Sequence, residues 1–399
     1  MQDILNFLKT KNEKKIILLV MDGLGGLPLT REGKTELETA HTPNLDKLAA
    51  DSECGTLHPI DYGITPGSAP GHFSLFGYNP MDYEIGRGVI AAMGIGFPMK
   101  AGDVAARMNF ATLDEKGNVA DRRAGRIPTE KNEELCKKLK GIIIEDISIE
   151  VKPVKDHRAC VVFKGPGLVD KVCDTDPQKT GVPPITPAAI NSESKKTARI
   201  AVEFVKEVIK RLKGESPANG LLLRGFASLP HIPHMSERLG LNPVCLAVYP
   251  DYKGVSRLLG MKIINNLGHL NDQVEALKAN WNDHDYFFIH HKYTDSKGED
   301  GNFDAKVQEV EKVDACLPKF LDLKPDVFIV TGDHSTPAKM ASHSYHPVPF
   351  LIHAQDQCID TVNEFGERKC SQGQFANMPG TKLMNLAMGY ANKLNKFGA

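Results

Sequence analysis

The sequence predicts an α/β fold: a mainly parallel sheet with helices on both faces, interrupted by a smaller inserted α+β domain. Three observations predict it. Short apolar runs of strand length, IILLVM at 16–21, FFIHH at 287–291 and VFIV at 327–330, alternate with stretches of helical period. Each run hands over within a few residues to an aspartate: Asp22, Asp295 and Asp333. From 104 to about 190 the texture changes to short β-like stretches separated by turns, and the α/β pattern resumes near Leu241. A chain of 399 residues is long for one domain. The reading is therefore a discontinuous domain, 1–103 with 241–399, around an insert at 104–240.

Taken in order, residues 1–12 read as a short helix that caps the first strand, 15–21. HTPNLDKLAADS at 41–52 opens a helix with Thr42 and Pro43, since proline fits a first turn. In DYGITPGSAPGHFSLFGYNP at 61–80, Ser68 stands between Gly67 and Ala69, with Pro70 just inside a helix start. The insert opens with VAARMNFATLDEKGNVADRRAGRI and IEDISIEVKPVKDHRACVVFKG. A helix follows at 192–213, its apolar face marked by Ile200, Val205 and Ile209, and NGLLLRG gives a strand ending on Arg224. Beyond 241, PVCLAVYP is a strand and YKGVSRLLGM leads to a helix. DQVEALKANW and residues 303–321 are helices, with DYFFIHHKYTD between them a buried strand ending on Asp295. KPDVFIVTGDH closes the alternation, and VPFLIHA and TKLMNLAMGYANKL add a last strand and a last helix.

Composition narrows the function classes. Hydrophobic residues at 41% and charged residues at 25% are ordinary for a soluble globular protein. A formal net charge of −1 gives no general pull toward nucleic acid or anionic membrane, so any anion must meet a local cluster. The first apolar run is too short to span a bilayer and has no cleavage-site pattern after it. Eight scattered cysteines without a CxxC suit reduced thiols in a cytoplasmic enzyme.

The chemistry gathers where the strands end. In an open α/β sheet, ligands bind beyond the carboxyl ends of the strands. One aspartate there is ordinarily a helix cap or a turn residue. Three delivered to one edge repel one another unless cations lie between them, and His334 and His343 follow closely on the last. Carboxylates mixed with imidazoles favour Mn, Zn or Co over an all-oxygen Mg site. The count suits two ions that clamp the oxygens of a phosphoryl transfer. Ser68 is the candidate nucleophile, a hydroxyl that metal coordination can ionise. Gly67 beside it permits close backbone approach, and the helix start offers N–H groups to a phosphoryl oxygen. Arginines supply the rest: Arg122, Arg123 and Arg126 in ADRRAGR, Arg158 beside His157, and Arg224. Singly each would be surface charge, but together such forks hold a small dianionic or trianionic substrate.

These motifs carry a resemblance. MDGLGGLP at 21–28, TPGSAPGHFSLFGYNP at 65–80, DRRAGR at 121–126, HKYTDSKGEDGNFDAK at 291–306, TGDHSTP at 331–337 and SHSYHPVP at 342–349 run in order along nearly the whole chain. They resemble the archaeal-type cofactor-independent phosphoglycerate mutases of the alkaline phosphatase superfamily. The resemblance implies an alkaline-phosphatase-like sheet, two divalent ions (Mn, Zn, Co or Mg) and no 2,3-bisphosphoglycerate. One ion would be held by Asp22, Ser68, Asp333 and His334, the other by Asp295, Glu299 and His343. Glu299 stands where the family pattern has histidine, and His346 is left as a supporting residue. Lys292, Arg224 and the DRRAGR arginines match the family's substrate-holding cations.

The implied reaction is an isomerisation. Ser68 takes the phosphoryl group of 3-phosphoglycerate, the glycerate turns, and its 2-hydroxyl takes the group back. Asp156 or Asp121 would move protons at the glycerate hydroxyls, and the insert would act as a substrate-binding lid that excludes water. The alternatives are a metal-dependent phosphatase or phosphodiesterase, or another phosphomutase of the superfamily. The expected partner is a small phosphorylated substrate, with neither nucleic acid nor membrane, and self-association is left open.

Overall fold

The computed structural model describes residues 3–398. In chain order the strands are β1 Ile16–Met21, β2 Glu53–His58, β3 Val104–Leu113, β4 Val119–Asp121, β5 Ile142–Ile144, β6 Ile147–Lys155, β7 Arg158–Lys164 and β8 Gly220–Ser228. They continue as β9 Pro243–Cys245, β10 Lys262–Ile263, β11 Tyr286–His291, β12 Val327–Thr331, β13 Val348–Ala354 and β14 Phe375–Pro379. Two compact units result, one from residues up to Tyr83 and from Ile232 on, the other Glu84–His231.

The larger unit is built on an eight-stranded sheet ordered β10-β9-β11-β1-β12-β13-β2-β14. Every neighbouring pair is parallel except the two that involve β13, which runs against both β12 and β2. The central strands β1, β11 and β12 are buried along their whole length. Continuous apolar runs are what a parallel sheet covered on both faces requires. Ile17, Leu19 and Met21 join Phe287, Ile289, Phe328 and Val330 on one face, under the helices Pro43–Ala49, Leu270–Asn280 and Phe303–Leu321. The helix Ser68–Leu75 lies over the opposite face, where Phe76 meets the edge of Phe288 at 4.9 Å. Among the described residues no helix is long and apolar enough to cross a membrane.

Strand register positions the chemistry. Met21 pairs with His291 and Val20 with Thr331, so β1, β11 and β12 end level with one another. The residues that follow, Asp22, Lys292 and Gly332–Asp333, therefore emerge side by side at the carboxyl edge. The end of β11 is pinned from below. His291 Nε2 lies 3.0 Å from Glu309 Oε2 of the 303–321 helix, and Lys312 reaches the other oxygen at 2.6 Å. Burial pushes the Glu309 carboxyl up, but these two hydrogen bonds outweigh it and hold it down to about 2.

A group whose folded pKa is depressed gives stability that is present above its unfolded value, about 4.3, and is lost as pH falls toward the folded value. Glu309→Gln is therefore expected to flatten the fall in stability between about pH 4.3 and the folded value. Urea unfolding at stepped pH checks this. An unchanged acid limb would count against the pair.

The smaller unit is an antiparallel sheet ordered β4-β3-β7-β6-β5, with β8 pairing β3. The helices Thr129–Lys138 and Lys195–Arg211 cover one face through Leu135, Ile200, Ala201, Phe204 and Val208, packed on Met108, Ile149, Val161 and Phe163. The helix Arg87–Gly94 covers the other face through Ala91 and Ala92 on Ala105 and Val162.

Several expectations are corrected here. The compact insert runs 84–231 rather than 104–240, because the Arg87–Gly94 helix belongs to its sheet: a Cβ on Gly88 would sit 2.2 Å from the Ala105 carbonyl oxygen. The buried face of Lys195–Arg211 is set by Ile200, Phe204 and Val208, while Ile209 is exposed. β8 continues four residues past Arg224, which is a mid-strand residue and not a strand end. Asp295 is not a strand terminus either, since β11 stops at His291 and Asp295 lies in the first turn of a helix, Tyr293–Glu299. β14 has no apolar pattern, being an exposed edge strand, and gave no strand signal in the sequence.

Candidate metal and nucleophile centre

Four segments converge beyond the carboxyl ends of β1, β11 and β12. Asp22 follows β1 directly. Asp333 and His334 follow β12, and Asp295 is presented by the helix after β11. Ser68 is the first residue of the Ser68–Leu75 helix, capped by Gly67. That helix can approach closely because residue 71 is glycine, where a Cβ would lie 2.3 Å from the Asp333 carbonyl oxygen.

The first cluster centres on His334 Nε2. It lies 3.3 Å from Asp22 Oδ1, 3.2 Å from Asp333 Oδ2 and 3.3 Å from Ser68 Oγ. Asp22, Asp333 and His334 are fully buried. The far oxygen of Asp22 is already committed: Tyr252 donates its hydroxyl to it, and Lys292 Nζ and His290 Nε2 stand at 3.1 and 3.3 Å. The far oxygen of Asp333 accepts from the Gly23 N–H at 3.1 Å. Asp22 Oδ1 and Asp333 Oδ2, the atoms that face His334 Nε2, are buried without a hydrogen-bond partner. Two orphaned carboxylate oxygens, an imidazole nitrogen and a hydroxyl aimed at one point fit a divalent cation.

The electrostatics agree with that fit. Burial alone raises the Asp22 carboxyl, but Lys292, His290 and His334 together hold it well below the usual range. Asp333 is raised by burial and by the charge on Asp22, yet the imidazoles of His334 and His72 bring it below its ordinary value. Burial lowers His334, and Asp333, Asp22 and Asp295 overcome this, raising it to about 9. Burial drives His290 down to about 4, so it stays neutral beside Asp22. The site is a set of ionised acids balanced by positive charge.

The second cluster comprises Asp295, His334 and His343. His343 Nε2 lies 3.5 Å from Asp295 Oδ1, and the His343 ring stacks on His334 with centroids 3.7 Å apart. Glu299 is one helical turn after Asp295, on the same face. Its Oε1 is 3.9 Å from His343 Nε2, and its side chain is 55% exposed. The structure thus brings Glu299 to the rim of the cluster, where it can swing onto an ion with Asp295 and His343. Glu299→Ala is expected to weaken binding of one of two Mn²⁺ equivalents by at least about tenfold and spare the other. Titration calorimetry reads this, and two unchanged equivalents would remove Glu299 from the ligand set.

The remaining sequence-named residues divide. Lys292 lies among the acids, between Asp22 and Asp295, and these carboxylates keep its ammonium charged against the pull of burial. His346 turns away from both clusters: its ring pairs with Ser344 Oγ at 3.0 Å, and its carbonyl accepts from Ser335 Oγ.

On the inserted unit, Arg122 is engaged by Asp176 through both ends of its fork, at 2.8 and 2.7 Å. Arg224 stands 3.5 Å from the same carboxylate. Arg123, Arg126 and Arg158 instead bring their charge to bear on buried His157. Burial and these three cations lower it to about 4. Asp121 accepts the backbone N–H groups of Arg123 and Gly125 at 2.8 and 2.6 Å, shaping the tight DRRAGR turn. Burial raises its carboxyl, but those bonds and the nearby positive charge lower it below the ordinary value, which holds Asp121 ionised in the turn. Asp156 occupies the β6–β7 turn with a positive φ of 51°.

Sequence reasoning missed Tyr252, His290, His72 and Thr336. Tyr252 lies in the helix Pro250–Leu258 and His290 within β11, and only the fold brings these two to Asp22, whereas Thr336 stands in the TGDHSTP segment, three residues past Asp333. His72 is the exception in signal, since it follows Ser68 by four residues, and its Nδ1 sits 2.8 Å from the Ser68 carbonyl and 3.2 Å from Asp333.

Comparison with known proteins bears on this geometry. A family model described as 2,3-bisphosphoglycerate-independent phosphoglycerate mutase matches residues 49–219. A probable 2,3-bisphosphoglycerate-independent phosphoglycerate mutase of Aquifex aeolicus is 47% identical over 407 residues, covering 100% of both chains. Among solved structures, a Pyrococcus horikoshii protein superimposes with a TM-score of 0.85 at 29% identity, over 98% of this chain and 100% of its own. A cofactor-independent phosphoglycerate mutase from Thermoplasma acidophilum gives a TM-score of 0.69 at 30% identity, over 95% of this chain and 100% of its own.

Proposed function

Because the chain belongs to the 2,3-bisphosphoglycerate-independent phosphoglycerate mutase family, we propose that it interconverts 3-phosphoglycerate and 2-phosphoglycerate by passing the phosphoryl group through Ser68. The observation that carries this reading is the convergence of Ser68 Oγ with two orphaned carboxylate oxygens on His334 Nε2. When bound, divalent ions supply a lowered pKa for the serine hydroxyl and positive charge for the transferring oxygens. Asp22, Asp333 and His334, with Ser68, would hold one, and Asp295, Glu299 and His343 the other.

This chain's own groups do the rest. At the start of the Ser68–Leu75 helix the backbone N–H groups of Ser68 and Ala69 would face the transferring phosphoryl, since Pro70 has none and the Gly71 N–H is spent on the Gly67 carbonyl. Lys292, kept charged among the acids, offsets negative charge there. On the inserted unit, the guanidinium groups of Arg123, Arg126 and Arg158 suit carboxylate and phosphate oxygens. The glycerate must turn before its 2-hydroxyl attacks phosphoserine, and the transfer is reversible because the same groups serve both directions.

Phosphorus NMR tests the reading directly. Mn-loaded protein given 3-phosphoglycerate, with no bisphosphoglycerate added, is expected to build the 2-phosphoglycerate signal. Release of inorganic phosphate alone would sink the mutase reading in favour of a phosphatase.

A further inference from the structure

Thr336 lies two residues past His334, fully buried, and its hydroxyl touches both clusters. Thr336 Oγ1 is 2.7 Å from Asp295 Oδ1 and 2.9 Å from His334 Nδ1. A threonine hydroxyl has one proton to give, and an ionised carboxylate can only accept. The proton therefore goes to Asp295, and toward His334 the same oxygen is an acceptor. Nδ1 of His334 must then carry hydrogen, so a cation at the point shared by Asp22, Asp333 and Ser68 would displace only the Nε2 proton and meet the Nε2 lone pair. One hydroxyl so orients a donor of each cluster.

Its seat is rigid. The Thr336 N–H donates to the Gly23 and Gly25 carbonyls at 3.2 and 3.0 Å, which ties it to the loop after Asp22. Its carbonyl accepts from buried Lys306 at 2.9 Å. Gly298, in the helix that carries Asp295, is so close that a Cβ there would come within 2.2 Å of the Thr336 carbonyl oxygen. The loops that present Asp22, His334 and Asp295 all close on this residue.

Resting on the two-metal reading above, we infer that Thr336 is a positioning residue that fixes the His334 tautomer and couples the two metal clusters through the chain His334 Nδ1–H···Oγ1–H···Oδ1 of Asp295. Valine has the same shape and lacks only the hydroxyl. Thr336→Val therefore leaves His334 Nδ1 without its acceptor and Asp295 short of one donor, whereas Thr336→Ser keeps the chain. Partners of this kind are worth about ten- to a hundredfold in metal affinity.

The test uses the full chain and Mn²⁺ or Zn²⁺ alone. Calorimetry is expected to show both equivalents weakened by about tenfold or more in Thr336→Val and restored in Thr336→Ser. Long-range ¹⁵N–¹H NMR of the Zn-loaded wild type is expected to show His334 protonated at Nδ1. This second measurement does not depend on a variant folding. A wild type that binds two equivalents while Thr336→Val binds them equally well overturns the coupling, as does His334 protonated at Nε2. A wild type that binds no divalent ion overturns the two-metal reading and this inference with it.

Discussion

Replacing Ser68 by alanine is expected to lower mutase turnover by roughly 10⁴-fold or more while the protein melts at nearly its original temperature. The size of the effect follows from the role. If phosphate rests covalently on Oγ between its two positions, no neighbour can substitute, and loss of a nucleophile removes what the surrounding groups act upon. The small effect on stability follows from the position. Ser68 is the first residue of its helix, half-buried, and Gly67 is the cap, so no backbone hydrogen bond depends on the hydroxyl. Its contact with His334 Nε2 at 3.3 Å is long for a stabilising bond. Two readouts separate nucleophile from bystander. Wild-type protein quenched during turnover should carry a phosphoryl group on the peptide that contains Ser68, and the alanine variant should carry none. A variant that still interconverts the two phosphoglycerates would remove Ser68 from the chemistry.

The parts of this site that the sequence displays are those tied to strand ends. Asp22 and Asp333 each follow a buried apolar run, and parallel strands that end level bring such residues together whatever the intervening chain does. His334 and His343 are visible because they sit within ten residues of Asp333. Asp295 was found for a reason that the fold revises. It is displayed by a helix after β11, which is why Glu299 shares its face one turn later. What stayed hidden are groups that act at long range. Tyr252 reaches Asp22 from 230 residues away, and nothing near it in sequence announces that contact. The insert boundary was misplaced for a related cause. GRGVIAAMG has the look of a helix from an α/β layer, and only the approach of Gly88 to β3 assigns it to the antiparallel sheet. Arg122 and Arg224 looked like free anion holders, and the fold pairs both with Asp176, a residue with no motif around it.

Lys306 is the extreme case, and replacing it by methionine is expected to cost roughly 3–5 kcal/mol of stability. In the sequence it is one of several lysines on an amphipathic helix, where the ordinary reading is a solvated head group. In the fold it is fully buried, and its ammonium donates to the carbonyls of Gly23, Gly25 and Thr336 at 2.8, 3.0 and 2.9 Å. Burial lowers its pKa, and the carboxylates of Glu36 and Glu367 oppose that fall. These acids hold the same loops. Glu36 accepts from the Leu27 and Ala338 N–H groups, and Glu367 accepts from Gly26 N–H and the Thr35 hydroxyl.

Methionine fills much of the volume but donates nothing, so it leaves three carbonyls under-satisfied and removes the positive charge nearest Glu36 and Glu367. Against a total stability of about 5–15 kcal/mol, this loss should lower Tm by on the order of 10 °C. Arginine should not rescue it, because a planar fork does not match three carbonyls disposed around one tetrahedral ammonium. The loss should also reach the chemistry, since the loops that Lys306 ties are those presenting Asp22 and His334. Thermal melts of Lys306→Met and Lys306→Arg with and without Mn²⁺ check both parts. Melting within about 2 °C of wild type would mean the three carbonyls find other donors, and the clamp would lose its claim to hold the site.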